Sequence, residues 1–190
     1  MGFFDHFKTK KAAPEPLEPS VKSIGPTVVE IARIISSGDE AVLRDITACT
    51  ENPADWYDDC REQLFIRSVP PDESLEMVQW LTLMDILEKY GWVCKPDWKD
   101  RKDKLTDFLY LVENLHSFQA QGLSMNPAWF DAGGNISAWC GVLAEKWASK
   151  GVRMASIDIE SYVLFPCPVS QFPTLQGLAE EIGQYIAFVE

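Results

Sequence analysis

The stretch MASIDIESYVLFPC, Met154 to Cys167, decides the fold. Two short apolar runs, Val152–Ile157 and Tyr162–Phe165, meet across Asp158-Ile159-Glu160-Ser161. Runs of this length and composition read as strands, with the acidic junction as the turn of a β-hairpin. Asp158 and Glu160 would share a strand face, and paired carboxylates can do acid–base work or bind a metal. A metal needs more oxygen ligands, however, and none is nearby in sequence. Ala155, Ile157 and Ile159 have the opposite parity, so the acids point outward and serve the turn.

Three segments around this hairpin end a helix at glycine and enter a β-type run: ILEKYG-WVCK, KWASKG-VRMASI and LAEEIG-QYIAFV. Glycine accepts the left-handed backbone that closes a helix. The strand candidates are therefore Trp92–Lys95, Val152–Ile157, Tyr162–Phe165 and Tyr185–Val189. Helices between them are marked by Leu105, Phe108, Leu109, Val112 and Leu115 (about 99–118), by Trp139, Val142, Leu143 and Trp147 behind an Asn135 cap, and by Leu175, Leu178, Ala179 and Ile182. The expected architecture is α+β: a helical N-terminal layer packed on a small mixed sheet in ferredoxin-like β-α-β-β-α-β order, with the first and third strands central. Pro96 confines the first strand to a few residues.

Upstream, Thr27 and Glu30 fit a capping box for a helix carrying Val28, Ile31, Ile34 and Ile35. Asp39 can cap a second helix, and Asn52-Pro53 a third with Trp56, Cys60 and Leu64 inward. From Leu75 to Leu87 almost no polar face remains, which marks a central helix buried between layers. Residues 24–190 are expected to form a single α+β domain, 24–71 as the helical layer and 72–190 as the α+β core. Residues 1–23 read as a flexible leader rich in Phe, Lys and Pro.

The chain has 190 residues and a net charge of −12. Such acidity repels phosphates and argues against nucleic acid; it favours a basic protein partner. From Asp39 to Glu76 there are 11 acids against 3 bases, a net of −8. Asp55, Asp58, Asp59 and Glu62 follow at helical spacing and share one face, a candidate protein-binding stripe. An ordinary solvated face is the simpler alternative. No apolar run approaches the roughly 18 residues of a membrane span, and no secretory signal is evident, so a soluble, cytoplasmic protein is expected. Membrane-surface contact through Phe3, Phe4, Phe7 and the neighbouring lysines is a third, weaker reading. The five cysteines form no C-x-x-C pair, so we expect reduced, buried thiols and neither a metal site nor a cofactor.

No Ser-His, Cys-His or G-x-S-x-G arrangement is readable, and no catalytic residue is assigned. His116 lies alone in a helical stretch, and DWKDRKDK (97–104) reads as solvated surface. The loop GLSMNPAWFDAGGN (122–135) carries Met125, Trp129 and Phe130 among turn residues. Such groups either tuck into the core or contact a ligand or partner. The favoured function is a non-enzymatic protein-binding module, such as an acidic immunity or inhibitor protein for a basic toxin. The alternative is a small-ligand-binding or enzymatic domain with a pocket near this loop.

From about Val78 to Ile186 the segments WLTLMDILEKYGWVCKPDWK, KLTDFLYLVENL, ASIDIESYVLF and LAEEIG resemble the DUF6630-like domains of unknown function, an uncharacterised bacterial family. The resemblance implies a bacterial cytosolic origin and transfers no activity and no site residue.

Overall fold

A computed structural model describes residues 24–53, 55, 74–96, 104–157 and 162–190. Among them are seven α-helices and a three-stranded sheet. The sheet begins with β1 (Val152–Ser156) and β2 (Leu164–Pro168), paired antiparallel from Val152↔Pro168 to Ser156↔Leu164. This is the hairpin expected from the sequence. Beyond the paired strands, Ile157 N still donates to Val163 O at 3.0 Å. The junction residues Asp158 and Glu160 lie outside the described residues.

β3 (Ala187–Phe188) pairs antiparallel with the other edge of β1, through Ala155↔Phe188 and Ser156↔Ala187. The order is thus β2-β1-β3, every pairing is antiparallel, and β1 is central. This corrects the mixed sheet and the ferredoxin-like order expected above. The segment 92–95 forms no strand. It contributes one bridge, Cys94 to Leu164, with N–H to O distances of 2.9 and 2.8 Å. Pro96 explains why the ladder stops there, since it has no N–H to offer.

β2 starts two residues later than expected and runs through Pro166 and Pro168. Its odd residues exchange hydrogen bonds towards β1, as Ile157 with Val163 and Gly151 with Val169 indicate. Its even residues turn their backbone groups to the outer edge, where Leu164 meets Cys94. Pro166 and Pro168 fall on that edge parity, where a missing donor breaks no ladder bond.

Side chains alternate across the sheet and build two hydrophobic clusters. Ala155, Ile157, Val163, Phe165 and Cys167 join the first; Val152, Met154 and Leu164 join the second. Both faces of the paired strands are covered, while Asp158 and Glu160, expected to point outward, lie outside the described residues. The first cluster lies under α1 (Gly25–Ile35), α2 (Glu40–Glu51), α3 (Leu75–Lys89) and α7 (Phe172–Glu181). The second lies under α4 (Lys104–Glu113), α5 (His116–Ala120) and α6 (Ile136–Lys146). Helix, sheet and helix form three layers, and the N-terminal helices share theirs with α3 and α7.

Local chemistry explains the helix ends. Asp39 caps α2, accepting from Ala41 N at 2.8 Å and Val42 N at 3.2 Å. Asn135 caps α6 and Ser74 caps α3. Thr27 does not cap α1. That helix starts at Gly25 with Pro26 in its first turn, where the absent N–H is no loss. The long helix expected over 99–118 breaks after Glu113 and restarts at His116. All three junction glycines, Gly91, Gly151 and Gly183, have φ between 65° and 69°. At Gly91 the closing bonds are Trp92 N to Leu87 O and Gly91 N to Glu88 O, the Schellman pattern.

Candidate functional site

The loop after α5 is held at both ends by indole N–H groups. Trp147 Nε1 donates to Ser124 O at 2.9 Å, and Trp139 Nε1 donates to Asp131 O at 2.8 Å. Both tryptophans are 2% exposed, so neither donor could remain unpaired without a desolvation cost. Two side-chain turns stiffen the loop between these braces. Asn126 Oδ1 accepts from Ala128 N at 3.0 Å, opening a single 3-10 turn at Pro127–Trp129. Asp131 Oδ1 accepts from Gly133 N at 2.9 Å. Gly134 sits so close to the Trp139 ring that a Cβ there would lie 2.7 Å from Nε1.

The loop's large side chains divide between two roles. Met125 and Phe130 pack on the second cluster. Trp129 is half-buried, outside that cluster, with its ring centroid 6.4 Å from that of Phe130. The loop is therefore anchored by two of the three residues singled out in the sequence and displays the third. A rigid aromatic on a braced loop loses little freedom on contact, which suits a binding residue.

A second polar seam joins α2 to the end of α3. Asp45 Oδ2 accepts from Tyr90 Oη at 2.8 Å and Lys89 Nζ at 3.0 Å, while Arg44 reaches Oδ1 at 3.2 Å. Burial works to raise the Asp45 pKa, but the bonds from Tyr90, Lys89 and Arg44 together hold it below its ordinary value. Asp39 Oδ2 also takes a bond from Trp92 Nε1 at 3.2 Å, and His116 stacks on Trp92 with centroids 5.3 Å apart. For Asp39 too, burial is outweighed, here by Val42 N, Trp92 and Ala41 N, with His116 nearby. Lys95 bridges Asp85 at 2.7 Å and Glu88 at 3.1 Å. Each of these carboxylates ties one element to another.

Of the acidic stripe, Asp55 is exposed and accepts a hydrogen bond from Asn52. Asp58, Asp59 and Glu62 lie outside the described residues, as do the 1–23 leader and the Asp97–Asp103 run. Cys49, Cys94, Cys140 and Cys167 are buried. Burial pushes the Cys140 and Cys167 thiols up to about 12 and Cys94 higher still. A cavity of about 90 Å³ lies among Ser137, Ser156, Tyr162 and Ala187–Glu190, with no residue of the 122–135 loop in its wall. That is well below the roughly 300 Å³ at which metabolite pockets begin. Among the described residues no helix is long and apolar enough to cross a membrane, and no group of three His, Cys, Asp or Glu is placed to hold a metal.

The braces and caps that shape this site run through a segment matched by a known family. The family described as Domain of unknown function (DUF6630) matches residues 27–189. The chain belongs to the DUF6630 family. The match extends through α1 and α2, well upstream of the region over which the resemblance was legible. In this DUF6630 chain the 122–135 loop and both bracing tryptophans fall inside the matched region. No curated protein and no solved structure matches the chain.

Proposed function

We propose that the protein is a non-enzymatic protein-binding module that takes a basic partner. The braced display of Trp129 carries this reading: two buried indoles and two side-chain turns fix a loop whose exposed product is a half-covered aromatic. Aromatic anchors on preorganised loops dominate the energetics of many interfaces. The net charge of −12 supports a basic partner, because it steers opposite charge and discourages nucleic acid. The concrete form of the proposal is an acidic inhibitor of a basic toxin in the bacterial cytosol, with Asp55, Asp58, Asp59 and Glu62 supplying attraction and Trp129 supplying grip.

The test is affinity capture followed by measurement with the purified partner. Trp129→Ala should weaken binding by about tenfold or more by raising the off-rate. Asp55, Asp58 and Asp59 to Asn, taken together, should slow association and flatten its salt dependence. A partner whose binding ignores all four changes would overturn the proposal.

A further inference from the structure

We propose that Arg153 anchors a second site, at the β3 edge of the sheet, that binds the carboxylate of a small organic acid. Arg153 Cζ lies 4.5 Å from the centroid of the Phe188 ring, and Phe188 stacks on Phe172 with centroids 3.8 Å apart and planes 18° from parallel. The guanidinium is thus the end plate of a three-membered stack built from β1, β3 and the first turn of α7.

Arg153 is conspicuous for what it lacks. The chain has 29 acids against 17 bases. Among the described residues, Arg33, Arg44, Lys89, Lys95 and Lys146 each face a carboxylate. Lys104 and Lys150 are exposed and show no such pair; Arg153, only partly exposed on the central strand, is the partly covered base that faces none among the described residues, and its Nε is buried with no acceptor. Nε is covered, which leaves the Nη pair as the edge that can meet a ligand.

That edge selects the ligand. Two parallel N–H groups match the two oxygens of a carboxylate, and a stacked guanidinium surrenders little freedom in binding it. A multiply charged anion is disfavoured by the field of so acidic a molecule; a singly charged one is much less so. Phe172 and Phe188, both half-buried, offer apolar surface beside the charge, which suits a flat, apolar body. Arg153 shares the parity of Ala155 and its stack packs on the first cluster, whereas the 122–135 loop packs on the second. The site therefore stands or falls independently of the proposed protein-binding loop.

The probe is benzoate, titrated into the full chain and followed by amide NMR, with benzamide and inorganic phosphate alongside. Benzoate should move the amides of residues 153, 172 and 188 saturably in the millimolar range; benzamide should not, and phosphate should bind more weakly. Arg153→Met should abolish the benzoate response, Arg153→Lys should weaken it about tenfold by losing the planar fork, and Phe188→Leu should weaken it by releasing the stack. If Arg153→Met fails to fold, the Lys and Leu variants decide. An unchanged response in these variants, equal binding of benzamide, or no saturable response to benzoate in the parent chain would overturn the proposal.

Discussion

Tyr90 Oη donates to Asp45 Oδ2 at 2.8 Å, linking the residue that caps the end of α3 to the middle of α2. With Lys89 on the same oxygen, this is the main polar tie between the two helices, and it makes stability depend on pH. The folded pKa of Asp45 is depressed, so its contribution is complete above the unfolded value of about 3.9 and fades as pH falls through the folded value. Asp45→Asn should cost about 1–3 kcal/mol at neutral pH, measured by urea unfolding. The difference from the parent should shrink in acid, and Tyr90→Phe should show part of the same loss.

Gly91 should be the least replaceable of the junction glycines. A Cβ there would lie 2.9 Å from His116 Cδ2, whereas at Gly183 it would meet nothing within 4 Å. Both need left-handed backbone, which costs an L-residue about 1–2 kcal/mol. Gly183→Ala should lose about that much by chemical denaturation, and Gly91→Ala clearly more. Adding His116→Ala to Gly91→Ala should recover the excess, because the stacked ring is what the new methyl strikes.

The loop braces can be loosened one at a time. Trp147→Phe removes the donor to Ser124 O while keeping most of the apolar bulk, and Trp139→Phe does the same for Asp131 O. Each should destabilise by about 1–3 kcal/mol and speed amide exchange through 124–134. If the loop serves as a binding platform, both should weaken the partner contact without touching it.

Gln121 treats Pro166 as if it were a strand residue. Its Nε2 donates to Pro166 O at 3.3 Å, and its Oε1 is buried without a donor because proline has no N–H. Pro166→Val would supply that N–H on the same edge. The new bond should offset the roughly 0.4–1 kcal/mol lost when proline's restriction of the unfolded chain is removed. The valine should therefore be nearly neutral in the parent and clearly destabilising in a Gln121→Ala background, a coupling that a double-mutant cycle reads directly.

Raised thiol pKa values predict chemical silence. Cys94, Cys140 and Cys167 should resist alkylation at mildly alkaline pH in the folded protein and react once it is unfolded, as peptide mapping after iodoacetamide would show.

The hairpin, the three glycine junctions and the apolar α3 were legible because each rests on local chemistry: a change of period, a left-handed residue, an apolar helix; α3 lies beside α1, α2 and α7 in one layer, not between layers as expected. Strand order was not. Trp92–Lys95 carries strand-like residues, but its fate depends on which edge it meets and on Pro96 a step later. Parity along β1 does not divide core from solvent either, since Ala155 and Met154 enter different clusters and a strand covered by helices on both sides has no outward face. Met125, Trp129 and Phe130 could be picked out as large apolar groups on a turn-rich loop. What sorted them was the placement of Trp139 and Trp147, residues that in sequence read only as helix core. Arg153 gave no signal at all, because a lone arginine in a strand is unusual only once its missing acid is apparent.

The first cluster joins Val28 and Ile31 of α1 to Leu175 and Ala179 of α7, residues almost a whole chain apart. During synthesis α1 leaves the ribosome long before the surface that covers it exists. Its oily side stays incompletely covered until α7 emerges. Completion of this layer thus waits for residues 172–188, and deleting them should be felt first at α1, almost a whole chain away.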